Sequence, residues 1–357
     1  MKYAFSLIIA LATTCCALAK PVKSKEVKFF SANDKHIKYV GRVDFSDPLK
    51  PRFWQPGVYV QAKFEGTSLS ISVNDEVLYG KLHNYLEVAI DNNKPFRIQT
   101  TGKTNVIEVA KDLAPGEHTV TICKDTESGI GYIEFVGLKC EKLLSIKEPK
   151  RKIEFIGDSI TCGSGIDEST VKCDKGQWFD QHNAYLSYGP TVARQLNAQW
   201  YITAVSGIGM IHSCCKMDIV MPQVFDKINP RADTLKWNFS NYKPDVVTIC
   251  LGQNDGNQDS TAFCSAYVAF VKIVRSHYPK ADIICVSSPM ANNDLRGILK
   301  KYITSIQQYL NDEGDHQIYH YFFDKGYNDG CGSHPGMAQH QVIAQQLAEY
   351  IKQVENW

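Results

Sequence analysis

The chain has 357 residues, enough for two domains that each bury a core. Hydrophobic residues are 44% and charged ones 22%, a globular balance that excludes a disordered or collagen-like chain. The formal net charge of +1 gives no global field to gather nucleic acid or anionic membrane, so neither is expected as a partner.

At the start, Lys2 precedes an apolar run from Tyr3 to about Ala12, and Ala17-Leu18-Ala19 follows. This is the n-region, h-region and small-residue pattern of a secretory signal peptide, so residues 1–19 are expected to be removed and the protein secreted or periplasmic. Cys15 and Cys16 suggest a lipid anchor, but Thr13-Thr14 before them fits one poorly. The apolar run is too short to span a bilayer and no later one exceeds it, so no membrane span is expected. Residues 20–26 read as a basic linker.

Residues 27–145 read as an all-β jelly roll or sandwich. Short runs rich in Val, Ile, Phe and Tyr recur at 37–43, 57–64, 69–73, 85–90, 105–110, 118–124 and 132–138. Turn chemistry such as Asp47-Pro48 and Asp91-Asn92-Asn93 separates them, and no helical period interrupts. The pattern changes over 146–357. Apolar runs at 153–156, 200–205, 246–251, 283–286 and 318–323 alternate with segments of helical period, such as Phe263, Tyr267, Phe270, Val271 and Val274. That alternation predicts a doubly wound parallel sheet covered by helices on both faces.

Ten of the 12 cysteines lie beyond residue 19. Cys123 with Cys140, on runs that read as neighbouring strands, and Cys162 with Cys173, which bracket a loop, are the candidate disulfides. Cys250 and Cys285 sit in apolar runs and read as small core residues. Adjacent Cys214-Cys215 is not zinc-ligand spacing and there is no Cys-x-x-Cys, so no metal and no cofactor is expected.

Four polar, glycine-bearing stretches follow four of the five predicted parallel strands: Gly157-Asp158-Ser159, Ser206-Gly207-Ile208-Gly209, Gly252-Gln253-Asn254-Asp255 and Cys331-Gly332-Ser333-His334-Pro335. In an open α/β sheet the carboxyl ends of the strands share one rim, so residues distant in sequence meet there. Acyl transfer needs a nucleophile, a base and donors for the oxyanion. Ser159 supplies the hydroxyl and His334 the base. The backbone N–H groups of Ser159 and Gly207, with the Asn254 amide, supply the oxyanion hole; Asp158 and Asp255 read as loop braces. Trp178, Phe179 and Tyr185 lie in the loop 166–185, where sugar stacking and ordinary loop packing are both open.

Together these blocks resemble the SGNH (GDSL-type) hydrolases. The stretches Gly41-Arg42-Val43-Asp44-Phe45-Ser46-Asp47-Pro48, Gly163-Ser164-Gly165, Leu186-Ser187-Tyr188-Gly189 and Ser206-Gly207-Ile208-Gly209-Met210 look like carbohydrate esterase family 2, as does the domain order. The resemblance implies removal of acetyl groups from plant polysaccharides such as xylan or glucomannan, without a metal. An acetylated polysaccharide or oligosaccharide is then the expected partner; the oligomeric state stays open. One departure stands out. The wider SGNH pattern places Asp three residues before the histidine, where this chain has Cys331. The resemblance implies a Ser–His dyad with a backbone carbonyl orienting His334, and Asp329 is the outside candidate for an orienting acid. An SGNH lipase or thioesterase acting on non-sugar esters, and a non-catalytic carbohydrate-binding protein, are the competing classes. A metallophosphoesterase built on Asp158, Asp255 and His334 lacks a further ligand cluster.

Overall fold

A computed structural model describes residues 26–357. The expected signal peptide and all of the 20–26 linker but its last residue lie outside the described residues. The first domain contains β1 (Lys28–Ser31), β2 (Lys38–Val40), β3 (Arg52–Phe53), β4 (Tyr59–Glu65), β5 (Leu69–Asp75), β6 (Tyr85–Ile90), β7 (Phe96–Gln99), β8 (Thr104–Ala110), β9 (Glu117–Lys124), β10 (Ile133–Cys140) and β11 (Lys142–Leu144). They pair antiparallel in two sheets, ordered β1-β10-β5-β8 with β3 on β10, and β11-β4-β9-β6-β7 with β2 on β4. Strands such as β5 bury every second residue, Leu69, Ile71 and Val73, into a core shared with Val60, Phe64, Val88, Ile122 and Phe135. This is the sandwich that the alternating pattern predicts. The short edge strands carried no such signal: β7 buries none of its four residues. β11 pairs with β4 and closes the sandwich at Leu144.

The second domain begins at β12 (Arg151–Gly157) and continues through β13 (Ala198–Ala204), β14 (Val246–Cys250), β15 (Asp282–Val286) and β16 (Ile318–Tyr321). All are parallel, in the order β13-β12-β14-β15-β16. Every residue of β13 and β14 is buried, which explains why these runs are mostly apolar with no alternation: helices cover both faces. The helices are α1 (Ser159–Cys162), α2 (Tyr188–Gln195), α3 (Met221–Val224), α4 (Ser260–His277), α5 (Asn293–Asp312) and α6 (Met337–Glu355). Asp259 and Asn292 cap α4 and α5, each accepting a backbone N–H at 2.9 Å. β12 lies between β13 and β14, so the chain reverses its direction across the sheet there. That is the switch point at which ligands bind in such sheets.

The domains interlock through Arg42, which is wholly buried. From the sandwich it donates to Glu154 Oε1 on β12 at 2.9 Å, to the Lys227 carbonyl at 3.0 Å and to the Phe225 carbonyl. Trp200 of β13 donates to the Gly57 carbonyl at 2.9 Å and packs on Tyr59.

Neither expected disulfide forms. Cys123 and Cys140 lie on β9 and β10, in different sheets, and both are free and buried, as is Cys162. Cys173 instead bonds Cys331, 158 positions away. Cys214 and Cys215 bond each other. Successive β-runs are not spatial neighbours here, because the chain changes sheet between β9 and β10.

Candidate active site

Ser159 follows β12 directly. Asp158 caps the turn by accepting the Ile160 N–H at 3.0 Å, which lifts Ser159 onto the first position of α1. Gly207 follows β13 and Asn254 follows β14, so three of the four stretches occupy the switch point itself. The fourth starts from the far edge, after β16, and α6 carries it back. Tyr188 N at the start of α2 donates to Nδ1 of His340 at 3.0 Å, which holds α6 against α2 beside the central strands. His334, three residues ahead of α6, thereby reaches the serine: its Nε2 lies 2.8 Å from Ser159 Oγ.

The other ring nitrogen, Nδ1, faces the Gly332 carbonyl at 3.2 Å. Asp329 stands elsewhere. Its side chain is exposed and lines a separate cavity, and its backbone N–H donates to Gln339 Oε1 at 2.9 Å. Burial holds the His334 pKa below its ordinary value, opposed by the Cys331 and Gly332 carbonyls, so the ring favours the neutral form that a base requires. Gly332 and Ser333 adopt positive φ of 60° and 59°, a tight reversal that turns the Gly332 carbonyl under the imidazole.

Among the described residues, the backbone N–H groups of Ser159 and Gly207 engage no protein acceptor. Gly207 has φ of 84°, and a Cβ there would lie 2.8 Å from Cys214 Sγ, so both conformation and space call for glycine. Asn254 differs from the expected free donor. Its Nδ2 donates to the Ile208 carbonyl at 2.9 Å and to Asp158 Oδ2 at the longer 3.3 Å, so an oxyanion would have to replace the second contact. Asp255 is a brace, as expected, accepting the N–H groups of Met210, Ile211 and His212. Burial raises the Asp158 carboxyl to about 7 against the Ile160 N–H that favours its charged form.

Ser159, Gly207, Asn254 and His334 open onto one cavity of about 720 Å³. Its wall also carries Trp178, 58% exposed, with His182 and the Cys214–Cys215 pair. Phe179 and Tyr185 are buried, so the loop's aromatics divide between packing and the cavity. Nothing in the local sequence marks His182 as part of the cavity. Glu168, Cys173 and Cys331 lie close enough to share an ion, but the two sulfurs are already bonded to each other.

Residues 39–149 match the Carbohydrate esterase 2 N-terminal family and residues 155–350 the GDSL-like Lipase/Acylhydrolase family. The chain is 34% identical over 336 residues to the cellulase/esterase CelE of Acetivibrio thermocellus, covering 90% of this chain and 40% of that protein's length. It is 26% identical to an acetylxylan esterase / glucomannan deacetylase of Cellvibrio japonicus, covering 92% and 91% of the two chains. A family two carbohydrate esterase from Clostridium thermocellum, solved with cellohexaose, superposes with a TM-score of 0.80 at 32% identity, covering 90% of this chain and 99% of that one. A Cellvibrio japonicus structure of the same family gives 0.84 at 25% identity, covering 93% and 99%. Fold, domain order and sequence agree, and the chain belongs to carbohydrate esterase family 2, a carboxylic ester hydrolase with an N-terminal β-sandwich.

Proposed function

We propose that this protein removes O-acetyl groups from a plant polysaccharide, xylan or glucomannan, through an acyl-enzyme on Ser159. The observation that carries the reading is the 2.8 Å contact between His334 Nε2 and Ser159 Oγ in the lining of the shared cavity. Ser159 Oγ attacks the acetyl carbonyl as its proton passes to His334 Nε2. The N–H groups of Ser159 and Gly207, with the Asn254 amide, hold the oxyanion. His334 then protonates the departing sugar hydroxyl. A water, deprotonated by the same ring, attacks the acetyl-serine; acetate leaves and Ser159 regains its proton.

The dyad needs no carboxylate. The Gly332 carbonyl at Nδ1 selects the tautomer with Nε2 unprotonated, as an aspartate would, but without a full charge. The acetylxylan esterase / glucomannan deacetylase relative, the cellohexaose held by the Clostridium thermocellum structure and the exposed Trp178 on the cavity wall support a sugar-bearing substrate, since an indole face suits stacking on a pyranose. Export to the cell exterior or periplasm fits that substrate.

The test is acetate release from acetylated xylan, acetylated glucomannan and a long-chain acyl ester. The wild type should act on at least one acetylated polysaccharide, and Ser159→Ala should lose activity by several orders of magnitude. Asp329→Ala should stay within about threefold of wild type, because its carboxylate does not face the ring. Activity confined to the long-chain ester refutes the substrate reading. A folded Asp329→Ala enzyme that has lost activity a hundredfold or more (about 2.7 kcal/mol) refutes the dyad.

A further inference from the structure

A carboxylate of the sandwich domain reaches the catalytic domain's backbone beside the oxyanion hole. Glu127 follows β9 and is buried, 2% exposed. Its Oε2 accepts the N–H of Ser206 at 2.8 Å, across 79 positions of sequence. Ser206 is the residue before Gly207, and its hydroxyl lies 2.8 Å from that of Ser164 in the loop after α1. On the far side of Gly207, the Cys214 N–H donates to the Gly207 carbonyl at 2.8 Å. The short stretch bearing the Gly207 N–H is thus gripped on both sides, and Glu127 supplies the grip from the sandwich.

Glu127 is itself held. Lys124, wholly buried, directs its ammonium at the carbonyls of Thr126 and Glu127, the latter at 3.3 Å. Thr126 Oγ1 donates to Asn84 Oδ1 at 2.6 Å, tying the turn to the sandwich. Glu127 Oε1 lies 3.7 Å from Nδ1 of His182 on the cavity wall. Burial raises the Glu127 carboxyl above its ordinary value, opposed by its hydrogen bonds to Ser206 and by Lys124. A carboxylate is costly to bury unpaired, and the hydrogen-bond partner it meets is Ser206, through its backbone N–H and its hydroxyl, at the site.

We infer that Glu127 is a positioning residue for catalysis: through Ser206 it fixes the Gly207 N–H at the oxyanion, making the β-sandwich a working part of the active site. The inference rests on Ser159 being the nucleophile. It acts on the transition state, because the oxyanion forms only after attack, so its loss should fall on kcat and leave KM nearly unchanged.

The test compares Glu127→Ala, Glu127→Asp and Glu127→Gln with wild type and Ser159→Ala on 4-nitrophenyl acetate and acetylated xylo-oligosaccharide. Active enzyme is counted by fluorophosphonate labelling of Ser159, and a boronic acid serves as a tetrahedral-adduct probe. Glu127→Ala should lower kcat per labelled site roughly 10- to 100-fold, weaken the boronic acid by a similar factor and hold KM within about threefold. Glu127→Gln, which keeps an oxygen acceptor, should recover kcat to within about threefold. Glu127→Asp, with the carboxylate drawn back one methylene, should resemble the alanine variant and serves in its place if that variant fails to fold. Unchanged kcat per labelled site in the alanine and aspartate variants overturns the inference. So does a loss that is wholly a loss of labelled sites, or a loss shared by glutamine with boronic-acid affinity intact. A fully active Ser159→Ala would instead overturn the nucleophile, which separates the two failures.

Discussion

Replacing Cys173 and Cys331 together by serine removes the cross-link between the loop after α1 and the segment that bears His334. The bond closes a loop of 158 positions inside the catalytic domain. Chain-entropy bookkeeping, −2.1 − 1.5R ln n, gives roughly 17 cal/mol/K for that length, or about 5 kcal/mol at 25 °C as an upper value. With a urea m-value of about 3 kcal/mol/M, the midpoint should fall by up to roughly 1.7 M, with a slight rise in m as the unfolded chain expands. Activity should fall too, because Cys331 sits one residue before the Gly332 carbonyl and three before His334. The Cys331 N–H still donates to the Gly165 carbonyl at 2.9 Å, so the segment keeps part of its anchorage. Roughly a tenfold loss in kcat with little change in KM is expected. The assay is urea unfolding followed by tryptophan fluorescence, beside steady-state kinetics, with mass spectrometry establishing the bond in the wild type. A midpoint shift below about 0.3 M, with the bond intact in the wild type, would refute the reasoning.

Acid should act on activity and stability in the same direction. Burial lowers the His334 pKa from its ordinary 6.5, so the acid limb of kcat/KM should lie below pH 6.5, and a limb above it would contradict the site's electrostatics. His182 and His340, each pushed down to about 3 chiefly by burial, take up protons on unfolding but not in the fold. Stability should therefore fall as pH drops from 6.5 towards 3, and chemical unfolding at pH 7 and pH 5 measures it. At the domain joint, Arg42→Ala leaves Glu154 buried without its charge partner and should cost about 3–5 kcal/mol. Arg42→Met with Glu154→Leu should recover much of that loss; a double variant no more stable than Arg42→Ala would show that the ion pair is not the term at stake.

Much of the architecture was legible because it depends on local periodicity. The β5 run alternates between core and surface, and β13 and β14 are buried throughout and mostly apolar because both faces are covered, so sequence alone separated a sandwich from a parallel sheet. The Gly-Asp-Ser, Gly207 and Asn254 stretches were legible for a related reason, each closing a strand at the same rim, and the His334 stretch because it lies between the last strand and the last helix. The exposed Trp178 was visible as an aromatic in a loop, but its side of the loop was not. What the chain alone determined was the order of elements and the chemistry displayed at each strand end.

Only the tertiary structure decided which distant groups touch. It paired Cys173 with Cys331 and left Cys123 and Cys140 in separate sheets, since pairing depends on sheet order, to which sequence spacing is blind. It set the Gly332 carbonyl at His334 Nδ1 and turned Asp329 to another cavity, a matter of two positive-φ residues between them. It also brought Glu127 to Ser206 and Arg42 to Glu154. Each of those contacts joins the two domains through buried charge. Periodicity reports what a residue does within its own element, whereas a buried charge is explained only by the partner that the fold carries to it.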